Sequence, residues 1–262
     1  MRVLVIMGSP RKGNTYRAAQ TIEAAMRSLG EVEFEYLMLK DANLAQCLGC
    51  FLCFEKGEER CPRKDDAPSI EQKMHDAEGV IFASPVYGMN VSGLMKVFID
   101  RLSYIFHRPR FFDKKALLLA TAGALGEKDV LDYLNLVATV WGFEVAGRAG
   151  IVTSPVISAR QTQKNEQTLR DAARVFYEAL NRKTRASPGL RDVIIFHGQR
   201  GTFDELRNHS PVDYAYWDEM GWLAPGKRYF VDVPVNPVYD AVGRVIEWQT
   251  RRQIRRSLAE TG

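Results

Sequence analysis

The chain has few cysteines, no long apolar run and almost no excess of charge. Only 4 of its 262 residues are cysteines, and at this length a core forms without disulfide staples. No stretch approaches the roughly 18 consecutive apolar residues of a membrane span. Lys and Arg number 36 against 32 Asp and Glu, a balance too even to indicate nucleic-acid binding. We therefore expect a soluble, cytoplasmic protein with neither nucleic-acid nor membrane partners.

The first part of the chain alternates apolar runs with amphipathic segments. The runs lie at 3–7, 32–37, 79–84, 116–121 and 145–152, and the helical patterns at 15–29, 67–76, 92–105, 127–141 and 161–180. Strands that are each followed by a helix pair in parallel through right-handed crossovers. The sequence thus predicts an α/β fold with a flavodoxin-like, five-stranded parallel sheet of order 2-1-3-4-5. This domain is predicted at 1–182, with a cysteine loop at 43–66 after strand 2.

The pattern changes after a polar linker that ends in Pro-Gly. Residues 190–262 show no strand–helix rhythm and hold three of the four tryptophans, so they are predicted to be a C-terminal extension. If the aromatic residues of this extension were exposed, they would form a large apolar patch, so we expect them to be buried in one of two ways. They pack in a satellite core, or they form an arm on a neighbouring subunit. The final segment, 244–256, has five arginines and one glutamate and is predicted to be a solvated helix face.

A polar loop at 8–15 connects the first strand to the first helix. In this fold the loop lies at the carboxyl edge of the sheet, where unpaired N–H groups and the helix dipole favour a phosphate. The spacing matches neither a dinucleotide-binding glycine motif nor a Walker loop. The alternative is a turn in which Asn14 or Thr15 caps the helix. The candidate phosphate-binding residues are Ser9, Arg11, Gly13, Asn14 and Thr15.

Two further strand ends are suited to a flat ring system. After strand 3, a proline restricts the backbone, a tyrosine offers an aromatic surface and a glycine permits close approach. Strand 4 ends in small residues at the same edge of the sheet. Three loops at one sheet edge are hard to explain by packing alone. The candidate ring-binding residues are Pro85, Val86, Tyr87, Gly88, Asn90, Thr121, Ala122 and Gly123.

All four cysteines form one motif, Cys47-x2-Cys50-x2-Cys53-x7-Cys61. The run of three allows thiolates to surround one face of an iron–sulfur cubane, and the fourth completes the ligand set. Structural zinc sites usually combine two short hooks instead, although zinc or an empty site stays open. Because strand 2 lies beside strand 1, the cysteines are expected at the same sheet edge as the phosphate loop.

These motifs resemble those of a known family. The loop at 8–15, Ser-Pro-Val-Tyr at 84–87 and Thr-Ala-Gly-Ala at 121–124 are similar to the three flavin loops of the flavodoxin-like NAD(P)H-dependent FMN reductases. The cysteine spacing resembles that of the iron–sulfur flavoprotein branch. The resemblance implies FMN, a 4Fe-4S cluster and a homodimer or homotetramer.

The predicted function is an FMN-dependent oxidoreductase that couples flavin to an iron–sulfur cluster for electron transfer. The donor would be NAD(P)H or a reduced carrier such as ferredoxin, and the acceptor is unknown. The alternatives are an NAD(P)H-dependent FMN or quinone reductase without a cluster, and a non-enzymatic carrier of flavodoxin type. No catalytic side chains are predicted, because the flavin carries the chemistry.

Overall fold

The apolar runs form a parallel β-sheet in the structure, which is a computed structural model. Residues 1–154 and 156–261 are described; Pro155 and Gly262, the last residue of the predicted extension, lie outside the described residues. The strands are β1 (Arg2–Met7), β2 (Glu33–Met38), β3 (Gly79–Tyr87), β4 (Asn90–Val91), β5 (Lys115–Ala122) and β6 (Glu144–Val152).

The sheet has the flavodoxin-like arrangement, with one addition. Its parallel strands lie in the order β2-β1-β3-β5-β6, which is the predicted order 2-1-3-4-5 once the short β4 is left out of the numbering. The prediction of five strands missed β4, which pairs antiparallel with the end of β3. The intervening Gly88 and Met89 both have left-handed backbone, with φ of 54° and 65°, which produces a tight two-residue hairpin.

Nine α-helices occur in the described part of the chain. They are α1 (Asn14–Arg27), α2 (Leu52–Glu55), α3 (Ala67–Asp76), α4 (Gly93–Arg101), α5 (Glu127–Trp141), α6 (Ala159–Asn181), α7 (Leu190–Glu205), α8 (Pro211–Glu219) and α9 (Pro237–Thr261). The helix predicted at 92–105 is two elements, because α4 ends at Arg101 and Ser103–Phe106 form a 3₁₀ turn. Among the described residues, no helix combines the length and the apolar character needed to cross a membrane.

The chain divides into two compact units, each described here by itself. The sheet unit consists of Met1–Leu48, Arg63–Ser103 and Asp113–Thr184. The helical unit consists of Gly49–Pro62, Tyr104–Phe112 and Arg185–Gly262. The boundary between the first segments of the two units falls inside the cysteine motif, after Leu48.

Both faces of the sheet are covered within the sheet unit. On one face, alternate residues of β1, β3 and β5 pack with α1 and α6 in a single apolar core. On the other face, Phe82 contacts the rings of Phe98, Trp141 and Phe143 at centroid distances of 5.5–6.5 Å. All eight residues of β5 are buried, which is typical of a central parallel strand.

The helical unit has an aromatic core of its own. Buried Trp217 and Trp222 contact each other and Phe230, with centroid distances of 4.8–5.5 Å. The indole N–H of Trp222 donates to the Phe230 carbonyl at 2.8 Å. These aromatic residues are therefore buried within a single chain, as a satellite core requires, and no second subunit is needed to cover them.

The arginine-rich helix α9 packs on α7. As predicted, four of the five arginines at 244–256 are exposed, whereas Arg251 is half-buried against α7. Arg251 binds Asp204, Glu205 and Glu247, and Arg255 binds Glu205 at 2.7 Å. His197 is fully buried between the two helices, with Nδ1 2.7 Å from a Glu247 oxygen. Burial raises the pKa of Glu247, but its bonds to His197 and Arg251 outweigh that effect and lower the pKa to about 2.

We expect the Glu247 carboxylate to stabilise the helical unit at neutral pH. A carboxylate with a depressed pKa contributes its full stability above the unfolded value and loses it as the pH falls through the folded value. Glu247→Gln should therefore lower the free energy of unfolding by roughly 3 kcal/mol at pH 7, with the difference shrinking between pH of about 4.5 and 2. Thermal unfolding as a function of pH measures this, with exposed Glu260→Gln as the control. A constant difference across that pH range would contradict it.

Candidate functional site

The phosphate loop leads into a helix whose N-terminus has no side-chain cap in the described structure. The N-cap residue of α1 is Gly13, which has no side chain to accept from the first turn. The two residues proposed to cap it bond elsewhere. The Asn14 amide donates to Thr153 Oγ1 at 2.7 Å, and Thr15 Oγ1 lies 2.6 Å from Thr121 Oγ1. The capped-turn alternative is wrong, and the N–H groups of the first turn are suited to an anion.

Two further polar residues of this loop, Ser9 and Arg11, have different roles. Ser9 is buried, and its hydroxyl donates to the Arg11 carbonyl at 2.8 Å, so it shapes the loop. Arg11 itself is exposed, and its side chain crosses Gly13: a Cβ built on that glycine would lie 3.6 Å from Arg11 Nε. The loop thus presents backbone N–H groups and one guanidinium.

The loop after β3 offers a mixed apolar and polar surface. Pro85 is buried, Val86 is half-buried, and Tyr87 is 45% exposed despite its large ring. Gly88 and Asn90 are exposed, and the Asn90 side chain accepts from the Val91 N–H at 2.7 Å. An exposed aromatic ring at the end of a buried strand is unusual for packing and suits a planar ligand.

The loop after β5 is open. Thr121 and Ala122 are buried, whereas Gly123 is exposed, and a Cβ built on it would meet no atom within 4 Å. Thr153, which was not among the predicted site residues, also lies at this edge. Its N–H donates to the Ala122 carbonyl at 2.8 Å, and its hydroxyl accepts from Asn14. Because Thr153 directly follows β6, the same strand-end rule could have identified it.

Two buried serines connect the loops after β1 and β3. The Ser92 hydroxyl donates to the Gly8 carbonyl at 2.7 Å and caps α4 by accepting from the Met95 N–H at 3.2 Å. The Ser84 hydroxyl accepts from the Ser92 N–H at 3.0 Å. The loops are therefore held together before any ligand binds, which lowers the entropic cost of binding.

The two ends of the cysteine segment are tied together in the sheet unit. The Asp65 carboxylate accepts from the N–H groups of Ala45 and Ala67, and Arg101 donates to it at 2.8 and 2.9 Å. Burial raises the pKa of Asp65, but these donors outweigh it and hold the pKa below its usual range. Arg101 thus pairs with Asp65, whereas its neighbour Asp100 pairs with Lys96.

The cysteines themselves are accessible thiols. Cys47 and Cys50 are exposed, Cys53 and Cys61 are half-buried, and none forms a disulfide. Within the described chain, no set of three or more His, Cys, Asp or Glu side chains is placed to hold a metal ion. Gly49 and Phe51, on either side of Cys50, have left-handed backbone with φ of 63° and 60°. Non-glycine residues rarely adopt this conformation, and those that do are found mostly at functional sites.

The chain matches known proteins over most of its length. The family model of the NADPH-dependent FMN reductases matches residues 1–176. An iron–sulfur flavoprotein of Archaeoglobus fulgidus is 30% identical over 236 residues, covering 85% of this chain and 100% of that protein. An iron–sulfur flavoprotein of Clostridioides difficile is 29% identical and covers 84% of this chain and 99% of its own. Both similarities extend beyond the region that the family model matches.

The fold has similar solved structures. RosB, solved with a bound 8-demethyl-8-formylriboflavin-5'-phosphate intermediate, matches with a TM-score of 0.56 at 14% identity. The match covers 69% of this chain and 79% of that one. At this identity the likeness shows the fold alone.

Two glycines at the end of β5 should respond differently to substitution. Gly126 has a φ of 96°, and a Cβ on it would lie 2.9 Å from Val86 Cγ1, so Gly126→Ala should cost about 1–2 kcal/mol of stability. Gly123→Ala, the matched control, fills open space and should change stability by less than about 0.5 kcal/mol. Chemical denaturation of the two variants measures the difference. Equal losses would contradict the geometry of this loop.

Proposed function

Because the chain belongs to the NADPH-dependent FMN reductase family, it is a flavin-dependent oxidoreductase, and we propose that it couples FMN to a 4Fe-4S cluster for electron transfer. The main support for the flavin site is the uncapped N-terminus of α1, which lies at the same sheet edge as the loops after β3 and β5. The cluster is supported by the cysteine spacing and by the names of the iron–sulfur flavoproteins that this chain is similar to.

The loop at 8–15 would bind the FMN phosphate. The donors available to it are the N–H groups of the first turn of α1 and the exposed guanidinium of Arg11. One hydroxyl of the Thr15–Thr121 pair keeps its proton free, since only one of the two donates in their mutual hydrogen bond. Ser9 and Asn14 would act by shaping the loop, because their side chains already bond to Arg11 and Thr153.

The loops after β3 and β5 would hold the ring of the flavin. Tyr87 and the backbone around Gly88 offer the aromatic and polar surfaces that a flat heterocycle needs, with Pro85, Val86 and Asn90 supporting them. The open space at Gly123 gives a ring edge access to backbone N–H groups beside Thr121 and Ala122. When bound, FMN supplies hydride chemistry and the cluster supplies single-electron transfer.

The four cysteines fit an iron–sulfur cluster by their donor chemistry. Thiolates are the ligands that iron–sulfur clusters use, and none of the four is in a disulfide. Each thiolate of a cubane cluster binds a different iron, so Cys47, Cys50, Cys53 and Cys61 need not converge on one ion. The chain reaches Cys47 from the end of β2, which lies beside β1 and its phosphate loop.

The family points to an NAD(P)H-type electron donor. A reduced protein carrier such as ferredoxin is the other candidate donor, and steady-state assays with each donor separate the two. A homodimer or homotetramer is also part of this proposal, and sedimentation of the purified protein measures it.

The phosphate site is tested by comparing FMN with riboflavin, which lacks the phosphate. Arg11→Ala should weaken FMN binding by about 1.5–3 kcal/mol, the usual value of a charge-assisted hydrogen bond, and leave riboflavin binding unchanged. Arg27→Ala, at the opposite end of α1, is the control. Fluorescence titration of the flavin measures both affinities. Full FMN affinity in the Arg11 variant would sink the assignment of the phosphate loop.

The cluster is tested by Cys50→Ser. The variant should lose iron and sulfide but retain FMN, because the flavin loops lie in separate segments of the chain. Anaerobic purification followed by metal, sulfide and flavin analysis measures these losses. The absorption shoulder that such clusters add at about 400 nm should also disappear. Gln46→Ser, at an exposed position beside the motif, is the control. Zinc without iron in the parent protein would favour the cluster-free reductase.

A further inference from the structure

A buried carboxylate in the C-terminal extension holds two consecutive residues of the segment Tyr104–Phe112. Asp213 of α8 is 0% exposed, and one of its oxygens lies 2.8 Å from Nδ1 of His107. Its other oxygen accepts from the guanidinium of Arg108, which is 2% exposed. All of these residues belong to the helical unit.

Both residues held by Asp213 contact the cysteine motif. Arg108 Nη2 donates to the Cys53 carbonyl at 2.7 Å and to Glu58 at 3.0 Å. The His107 ring packs on Phe54, with a centroid distance of 4.3 Å. Cys53 is the third cysteine of the motif, and Glu58 lies in the spacer that leads to the fourth.

A second arginine reinforces the contact with the spacer. Arg110 donates two hydrogen bonds of 3.0 Å to the other oxygen of the Glu58 carboxylate. Glu58 therefore receives both Arg108 and Arg110, and it starts the 3₁₀ turn Glu58–Arg60 that directly precedes Cys61. The segment between the third and fourth cysteines is thus held from one side by two guanidinium groups.

The extension also binds the backbone of the segment Tyr104–Phe112. Gln199 donates to the Phe106 carbonyl at 2.5 Å, and the Trp217 indole N–H donates to the His107 carbonyl at 2.7 Å. The Tyr216 hydroxyl donates to the Pro109 carbonyl at 2.9 Å. A segment fixed by three side chains and one buried ion pair has little freedom to move, because breaking a buried pair leaves an uncompensated charge.

We propose that Asp213 is a positioning residue for the cysteine motif, acting through Arg108 to set the placement of Cys53 and Cys61. The extension then has a defined role: it shapes the ligand loop that precedes it by more than a hundred residues. The inference rests on the proposed function in that the shaped loop is a cluster ligand loop. The contacts themselves do not depend on the cluster.

The first test uses cluster-free protein and needs no iron. In Asp213→Asn, the alkylation of Cys53 by iodoacetamide should accelerate about tenfold relative to the parent protein. Cys47, which belongs to the sheet unit, is the internal reference and should react at its parental rate. Asp218→Asn, an exposed aspartate on the same helix, is the matched control and should change neither rate. Peptide mass spectrometry reports each cysteine separately.

The second test uses the loaded protein. The electron paramagnetic resonance spectrum of the reduced cluster should change in Asp213→Asn, with faster iron loss to a chelator, and not in Asp218→Asn. Arg108→Lys, which keeps the charge but loses the fork of donors, should recover part of the parental spectrum when compared with Arg108→Gln.

A milder variant guards against misfolding. Glu58 is half-buried, and Glu58→Gln removes its charge and one of its two acceptor oxygens, so it should accelerate alkylation of Cys53 by a smaller factor than Asp213→Asn. Equal rates in Asp213→Asn and Asp218→Asn would overturn the proposal, as would equal acceleration of Cys47 and Cys53. If the parent protein contains no iron, the proposed cluster fails, whereas the alkylation rates still decide the role of Asp213.

Discussion

The common direction of the five long strands is the constraint on which the sheet unit depends. Because β1, β3, β5 and β6 all run the same way, their carboxyl ends meet at one edge. There Thr15 contacts Thr121, and Asn14 contacts Thr153, although these residues are more than a hundred positions apart in the chain. An antiparallel sheet would divide the same residues between two edges. The flavin site that we propose is a consequence of this strand direction.

The cysteine motif is held by two buried arginine–aspartate pairs, one in each unit. In the sheet unit, Arg101 and Asp65 tie together the two ends of the segment. In the helical unit, Arg108 and Asp213 fix the backbone at Cys53. Leu48 and Phe51 of this loop are exposed, so these apolar side chains contribute little to its order. The buried ion pairs order the loop through directional hydrogen bonds and not through apolar packing.

The C-terminal extension is therefore more than an addition to the reductase domain. Two of its three tryptophans, Trp217 and Trp222, lie in a core within the single chain, and its polar side chains bond the segment that contacts the cysteine motif. The similarity to the Archaeoglobus fulgidus iron–sulfur flavoprotein covers 85% of the chain, whereas the family model ends at residue 176. The likeness to this relative therefore includes part of the chain that the general reductase family does not share.

Local patterns in the sequence predicted the five long strands, their order and a helix after each of them. These features depend on the periodicity of apolar residues and on neighbours along the chain. The tertiary structure decided which charged and polar groups meet. Arg101 pairs with Asp65 and not with its neighbour, Thr153 joins the phosphate loop, and Asp213 lies against Arg108 across 105 positions. No local pattern encodes such pairs, because the partners are far apart in the chain and only the packing of the strands and helices brings them together.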